Sequence, residues 1–136
     1  MFLTLLYIVT DPGRKKIFFS NAGHEPLIFS RASRGKTEIL SGARATPLGV
    51  FEQSYETGET PFETGDAFLI ISDGVRELRS ARREEFGIER LAKFFGECAA
   101  RSPAKEIIER LFQQMASWSG GLPAHDDRTL VCVKAL

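Results

Sequence analysis

An α+β fold is predicted for this chain by three observations. Apolar, β-rich runs fill its first half, helical spacing takes over after Gly87, and one β-rich run returns near the C-terminus. Strands grouped ahead of helices, with a single returning strand, argue for helices layered on a mainly antiparallel sheet and against alternating βαβ units.

The elements follow in order. Phe2 to Thr10 and Lys15 to Asn21 flank Asp11-Pro12-Gly13-Arg14, where proline presets φ, so they are expected to pair as a hairpin with the first strand buried. Pro26 to Arg31 and Lys36 to Leu40 repeat the pattern around Ala32-Ser33-Arg34-Gly35, and the meander is expected to continue past Pro47-Leu48-Gly49. Tyr55 to Glu63, mixed in polarity, reads as an exposed edge strand, and Ala67 to Ser72 as an apolar one ending at Asp73. Ile88, Leu91, Ala92, Phe95, Cys98 and Ala99 then fall at helical spacing. For a second helix, Ser102 is the expected N-cap and Pro103 lies in the first turn, with Ile107, Ile108, Leu111, Phe112, Met115 and Ala116 on one apolar face. Ser119-Gly120-Gly121-Leu122-Pro123 ends that helix, and Arg128 to Ala135 forms the returning strand.

Composition narrows the function. The 136 residues, 43% of them hydrophobic, suit one domain with a real core. Eighteen basic and eighteen acidic residues cancel, and no basic stripe interleaves with aromatics, so nucleic acid is excluded as an expected partner. Arg79-Ser80-Ala81-Arg82-Arg83-Glu84-Glu85 mixes both signs and reads as a solvated turn. Cys98 and Cys132 lie in apolar stretches, which predicts buried thiols in a reducing, cytoplasmic setting, with neither a disulfide nor a zinc site. The opening apolar run is too short to span a bilayer and lacks a basic flank and a cleavage site, so no membrane insertion is expected.

Two motifs carry chemistry: Ile70-Ile71-Ser72-Asp73-Gly74-Val75 and His125-Asp126-Asp127-Arg128-Thr129-Leu130. Each places an aspartate where a strand meets a loop, fixed by the sheet yet facing solvent, and Gly74 lets other groups approach closely. A lone Asp-Gly is most often only a turn. If the returning strand pairs beside Ala67 to Ser72, however, Asp73 and Asp126 converge, and two such carboxylates suit a hard divalent cation.

Six blocks in this order resemble metal-dependent serine phosphatases of the SpoIIE type: Phe2-Leu3-Thr4-Leu5, Asn21-Ala22-Gly23-His24-Glu25-Pro26, Pro47-Leu48-Gly49, Ser72-Asp73-Gly74-Val75, Phe86-Gly87, and His125 to Leu130. The resemblance covers essentially the whole chain and extends to the type 2C-like protein serine/threonine phosphatases. It implies an antiparallel β-sandwich flanked by helices. By the same resemblance Asp73 and Asp126 are catalytic metal ligands, holding Mn²⁺ or Mg²⁺ that activates a water against phosphoserine or phosphothreonine. Asp127 is expected to act through hydrogen bonds behind the ligands, and Gly74 to admit close backbone approach. Asn21, Gly23 and His24 are expected to line the site, with His24 orienting its loop in preference to acting as an acid. His125 stands where relatives often carry glutamine, and Thr129 is expected to bond locally or to Asp126.

The implied substrate is a phosphorylated bacterial regulatory protein, such as an anti-anti-sigma factor. Relatives carry further strands and a bridging aspartate upstream, so residues 1–136 are expected to form a single partial phosphatase domain, its C-terminal part. The intact family site holds two ions, and this chain alone is expected to hold one or none. Exposed sheet surface then predicts a homodimer. The competing reading is a catalytically incompetent fragment or a regulatory protein-binding domain of the same fold.

Overall fold

The computed structural model describes residues 1–123 and 125–136. Its elements are β1 (Leu5–Asp11), β2 (Lys16–Ala22), β3 (Leu27–Arg31), β4 (Lys36–Leu40), β5 (Arg44–Ala45), β6 (Gly58–Pro61), β7 (Ala67–Ile71), α1 (Asp73–Arg76), α2 (Ile88–Ala99), α3 (Ala104–Ser119) and β8 (Leu130–Lys134). They form three layers: a first sheet, a second sheet, and α2 with α3.

In the first sheet β1 pairs antiparallel with β2 along its whole length, from Leu5 opposite Ala22 to Asp11 opposite Lys16. The other edge of β2 is shared, β6 running antiparallel beside its start and β5 parallel beside its end. The second sheet has the order β4-β3-β7-β8, antiparallel throughout. Successive residues of a strand face opposite sides, so a strand covered on both faces must be apolar throughout. In β3, Leu27 and Phe29 join Ile17, Phe19 and Phe68 between the sheets, while Ile28 joins Leu69 and Ile71 beneath the helices.

The helices meet that second face with residues at three- and four-residue spacing: Leu91, Phe95 and Cys98 from α2, and Ile107, Leu111 and Met115 from α3. Gly96 allows α2 to lie close on β4, since a Cβ there would stand 2.1 Å from Thr37 Oγ1. Lys134 of β8 donates from Nζ to the carbonyls of Ala99 (2.7 Å) and Ser102 (2.9 Å), placing a cation at the C-terminal end of α2. Buried Asp66 accepts the amides of Ala32 and Glu63 and lies 3.9 Å from the Arg31 guanidinium, tying the β3–β4 turn to the start of β7.

Several sequence expectations are corrected. β1 is an edge strand and not a buried one: Leu5, Tyr7 and Val9 are exposed, because β2 is its one ladder partner and, among the described residues, nothing covers that outer face. The chain does not continue as a meander after β4. It crosses back to the first sheet for β5 and β6, and the strand expected over Tyr55 to Glu63 contracts to Gly58–Pro61. Pro103, in extended conformation, is the N-cap residue of α3, and Ser102 lies buried just outside with its carbonyl held by Lys134. Phe112 is 39% exposed, off the buried stripe.

Both cysteines are free, Cys98 buried and Cys132 half-buried, and burial pushes the Cys132 thiol up to about 11. Among the described residues no helix is long and apolar enough to cross a membrane. The packing separates two phenylalanines on neighbouring helices. Phe95→Ala empties a fully buried site and is expected to lower unfolding free energy by about 3–5 kcal/mol. Phe112→Ala, at the surface, should change it by less than about 1 kcal/mol; urea unfolding of both variants checks the contrast.

Candidate metal centre

β7 leaves the core at Ile71, and Ser72 takes an extended conformation that turns the chain into the single helical turn of α1. Asp73 opens that turn and is exposed, its Oδ1 accepting the Gly74 amide at 2.9 Å. Val75, fully buried, anchors the turn in the helix-side core. Across from it, exposed Asp126 accepts the Asp127 amide on Oδ1 at 2.7 Å.

Ser72 joins the two segments. Its Oγ donates to the Asp127 carbonyl and accepts from the Thr129 amide, both at 2.9 Å, while its own amide donates to the Thr129 carbonyl at 3.1 Å. These bonds continue the β7–β8 pairing beyond the strands and draw residues 126–129 over Gly74. A Cβ on Gly74 would stand 2.4 Å from the Asp127 oxygen and 3.2 Å from Asp126 Cβ. Asp73 and Asp126 therefore lie at the same end of the β7–β8 pair. Asp127 contributes its backbone carbonyl to this contact and leaves its side chain exposed.

Among the described residues neither Asp73 nor Asp126 lies within ion-pair distance of a basic side chain. Two carboxylates at one end of the sheet without a cation partner are hard-oxygen donors of the kind that Mg²⁺ and Mn²⁺ take. The donor set thus fits a hard divalent ion. It is not a full cage, since no group of three His, Cys, Asp or Glu side chains among the described residues is placed to hold a metal.

The Asn21–Pro26 segment approaches from the first sheet. Buried Asn21 uses its amide inside the loop, donating to the carbonyls of His24 (3.1 Å) and Glu25 (3.3 Å) and accepting the His24 amide at 2.8 Å. These bonds shape the loop. His24 Nδ1 lies 3.1 Å from the Glu25 carbonyl, which orients the ring. Gly23 has φ +72°, and a Cβ there would stand 2.5 Å from Pro47 Cγ, so this loop rests on the Pro47-Leu48-Gly49 segment. Glu25 then reaches α1: its Oε1 accepts from Arg76 Nε at 2.9 Å, with the side chains 16% and 34% exposed. That bond, first among its causes, raises the Arg76 pKa above its ordinary value.

Ser72, Glu25 and Arg76 were not singled out by sequence reasoning. Ser72 carries a faint signal, a hydroxyl where an apolar strand ends beside a candidate ligand. The Glu25–Arg76 pair carries none, because its members are 51 residues apart. A groove of about 760 Å³ between β4 and α2, lined by Lys36, Glu89, Lys93, Glu97 and Arg101 among others, shares no residue with the aspartate end.

Gly74→Ala must displace the Asp127 carbonyl and is expected to destabilise the chain by about 1–3 kcal/mol. Ser72→Ala removes two solvent-exposed hydrogen bonds, to the Asp127 carbonyl and from the Thr129 amide, and should cost about 0.5–1.5 kcal/mol. Urea unfolding measures both, and amide exchange should locate the loosening at residues 126–129.

Comparison with known proteins adds the family. The model of the Stage II sporulation protein E (SpoIIE) family matches residues 1–136. Protein IcfG of Synechocystis is 29% identical over 134 residues, and phosphoserine phosphatase RsbU of Bacillus subtilis 28% identical over 137, each match covering 98% of this chain. The chain spans only 20% and 39% of those two proteins. Among solved structures, the SiaA PP2C domain of Pseudomonas aeruginosa superposes with a TM-score of 0.81 at 24% identity, covering 93% of this chain and 49% of that one. The Mn-presoaked phosphatase domain of Bacillus subtilis SpoIIE gives 0.73 at 19% identity, covering 97% and 56%. The layered sheets, the helices on β3 and β7, and the family match over every residue agree: this chain belongs to the SpoIIE family and has the fold of its PP2C-type phosphatase domains.

Proposed function

We propose that this chain contributes Asp73 and Asp126 to the metal centre of a phosphatase that hydrolyses phosphoserine or phosphothreonine on a bacterial regulatory protein. The observation that supports this reading is the packing of Ser72 and Gly74 against residues 126–129, which brings the segments carrying Asp73 and Asp126, two carboxylates in no ion pair among the described residues, to one end of the β7–β8 pair. Bound Mn²⁺ or Mg²⁺ would supply an acidified water and neutralise phosphoryl charge. The protein holds the two carboxylates by backbone amides, leaves Gly74 bare so that loop 126–129 stays close, and fixes the Asn21–Pro26 loop to α1 through Glu25 and Arg76. His24, oriented through its Nδ1, and Asn21 serve the shape of that loop. Similarity to the phosphoserine phosphatase RsbU and, at 29% identity over 77 residues, to the phosphoserine phosphatase RsbP of Bacillus subtilis supports the substrate class, with an anti-anti-sigma factor as the type of protein recognised. Two free thiols support a cytoplasmic setting.

A second reading, a binding domain without catalysis, is favoured by one observation: two carboxylates are fewer than a two-metal centre needs. Water, or carboxylates beyond these 136 residues, would supply the remaining ligands.

Titration calorimetry with Mn²⁺ and hydrolysis of an aryl phosphate separate the two. Asp73→Asn and Asp126→Asn are each expected to weaken Mn²⁺ binding by about tenfold or more and to abolish hydrolysis; EDTA should do the same, reversed by excess Mn²⁺. Unchanged Mn²⁺ affinity in both variants would remove the metal centre from this end of the sheet.

The free edge of β1 and its exposed Leu5, Tyr7 and Val9 support self-association of the 136-residue chain. Light scattering after gel filtration should find a dimer that Tyr7→Lys shifts toward monomer. A monomer at every concentration tested would discard this.

A further inference from the structure

Beside the aspartate end lies a cleft of about 260 Å³ lined by Gly74, Glu77, Leu78, Arg79, His125 and Asp126. It opens directly from the candidate centre, sharing Gly74 and Asp126 with it. Its charges are unevenly engaged. Glu77 accepts from Arg76 Nη2, so one carboxylate already has its cation. Arg79 is 52% exposed and only loosely paired, 3.8 Å from Glu85, which it shares with Arg76 at 3.9 Å.

Arg79 also begins an ordered hairpin. Its backbone bridges Glu85, Ser80 exchanges bonds with Glu84 and Arg83, and Ser80 Oγ accepts the amides of Arg82 and Glu84. At the tip stand Arg82 and Arg83, both exposed and, among the described residues, in no ion pair, beside one carboxylate, Glu84. Arg83 has φ +64°, the left-handed region where glycine or asparagine sits at lower energy. The hairpin's own hydrogen bonds do not need an arginine side chain at that position.

We propose that this cleft and the hairpin tip form the docking surface for an acidic stretch flanking the phosphorylated residue of a protein substrate. Arg79 meets the side chain next to the phosphorylated position, and Arg82 and Arg83 meet acidic groups farther along. Glu77 and Glu85 are already approached by Arg76, and the chain's eighteen basic and eighteen acidic residues cancel, so the surface offers a few single-charge contacts suited to an acidic protein segment and no extended positive field for a nucleic-acid backbone. Strain at Arg83 is then retained for recognition. The inference rests on the phosphatase reading and names the substrate chemistry of the same site.

The test is fluorescence anisotropy with the full chain in excess Mn²⁺, using labelled phosphoserine peptides with Asp and Glu flanks or with Ala and Gln flanks, and unphosphorylated forms of both. The acidic phosphopeptide should bind about tenfold more tightly at low salt, a preference that high salt removes. Arg83→Gly should raise the melting temperature yet weaken the acidic peptide by about threefold, leaving aryl phosphate hydrolysis unchanged. Arg79→Ser combined with Arg82→Ser and Arg83→Gly should erase the preference. Equal binding of the two phosphopeptides by the wild-type chain, binding of neither, or a preference that survives the triple substitution would overturn the proposal. Loss of the phosphatase reading looks different: Mn²⁺ and the phosphate would then contribute nothing, while the preference for acidic flanks persisted in the unphosphorylated pair.

Discussion

The aspartate end of this molecule depends on one close contact, the Asp127 carbonyl lying where a side chain on Gly74 would have to go. Ser72 holds that contact from one side by bonding both the Asp127 carbonyl and the Thr129 amide. Without it, β8 would still pair with β7, but the segment carrying Asp126 could swing free of the sheet edge. Asp73 and Asp126 are both exposed and carry the same charge, so their side chains do not hold the two segments together. A backbone-to-backbone approach does this without relying on their charge.

Electrostatics enters one shell further out. Arg76 sits at the end of the helical turn that Asp73 begins, and its bond to Glu25 crosses from the second sheet to a loop of the first. That pair is only partly exposed, so solvent screens it less than a surface pair. It links the two sheets at the aspartate end, while Asp66 and Arg31 link the β3–β4 turn to β7 elsewhere. The sandwich is thus fastened by side-chain bonds at places where the apolar core does not reach.

Legibility from sequence followed the strength of local pattern. β2, β3, β7 and both long helices could be read because burial imposes a period of two, a continuous apolar run, or helical spacing. β1 was misjudged since its residues are as apolar as those of a covered strand, and exposure depends on neighbours that the segment itself does not encode. β5, two residues in parallel pairing, has no local signature. At the candidate centre, Asp73 and Asp126 were legible as strand-end aspartates carried by a recognisable order of motifs. Asn21 lies within β2 near its end, and its side chain bonds forward to the loop residues His24 and Glu25. Ser72, Glu25 and Arg76 stayed hidden because their roles exist only once distant segments meet. The arginine-rich turn reads as solvated and is exposed, while its hairpin bonding and the left-handed residue at its tip have no compositional signal.

Lys134 has a consequence for cooperativity. Its ammonium occupies two carbonyls at the C-terminal end of α2 while its backbone belongs to the ladder with β7. A helix end and a sheet edge, the two places where local opening usually begins, are here the same event: β8 cannot peel away without uncapping α2. Since β8 also leads back to Asp126, fluctuations that would loosen residues 126–129 are coupled to the helix layer, and the protection of that segment should track the stability of the core beneath α2.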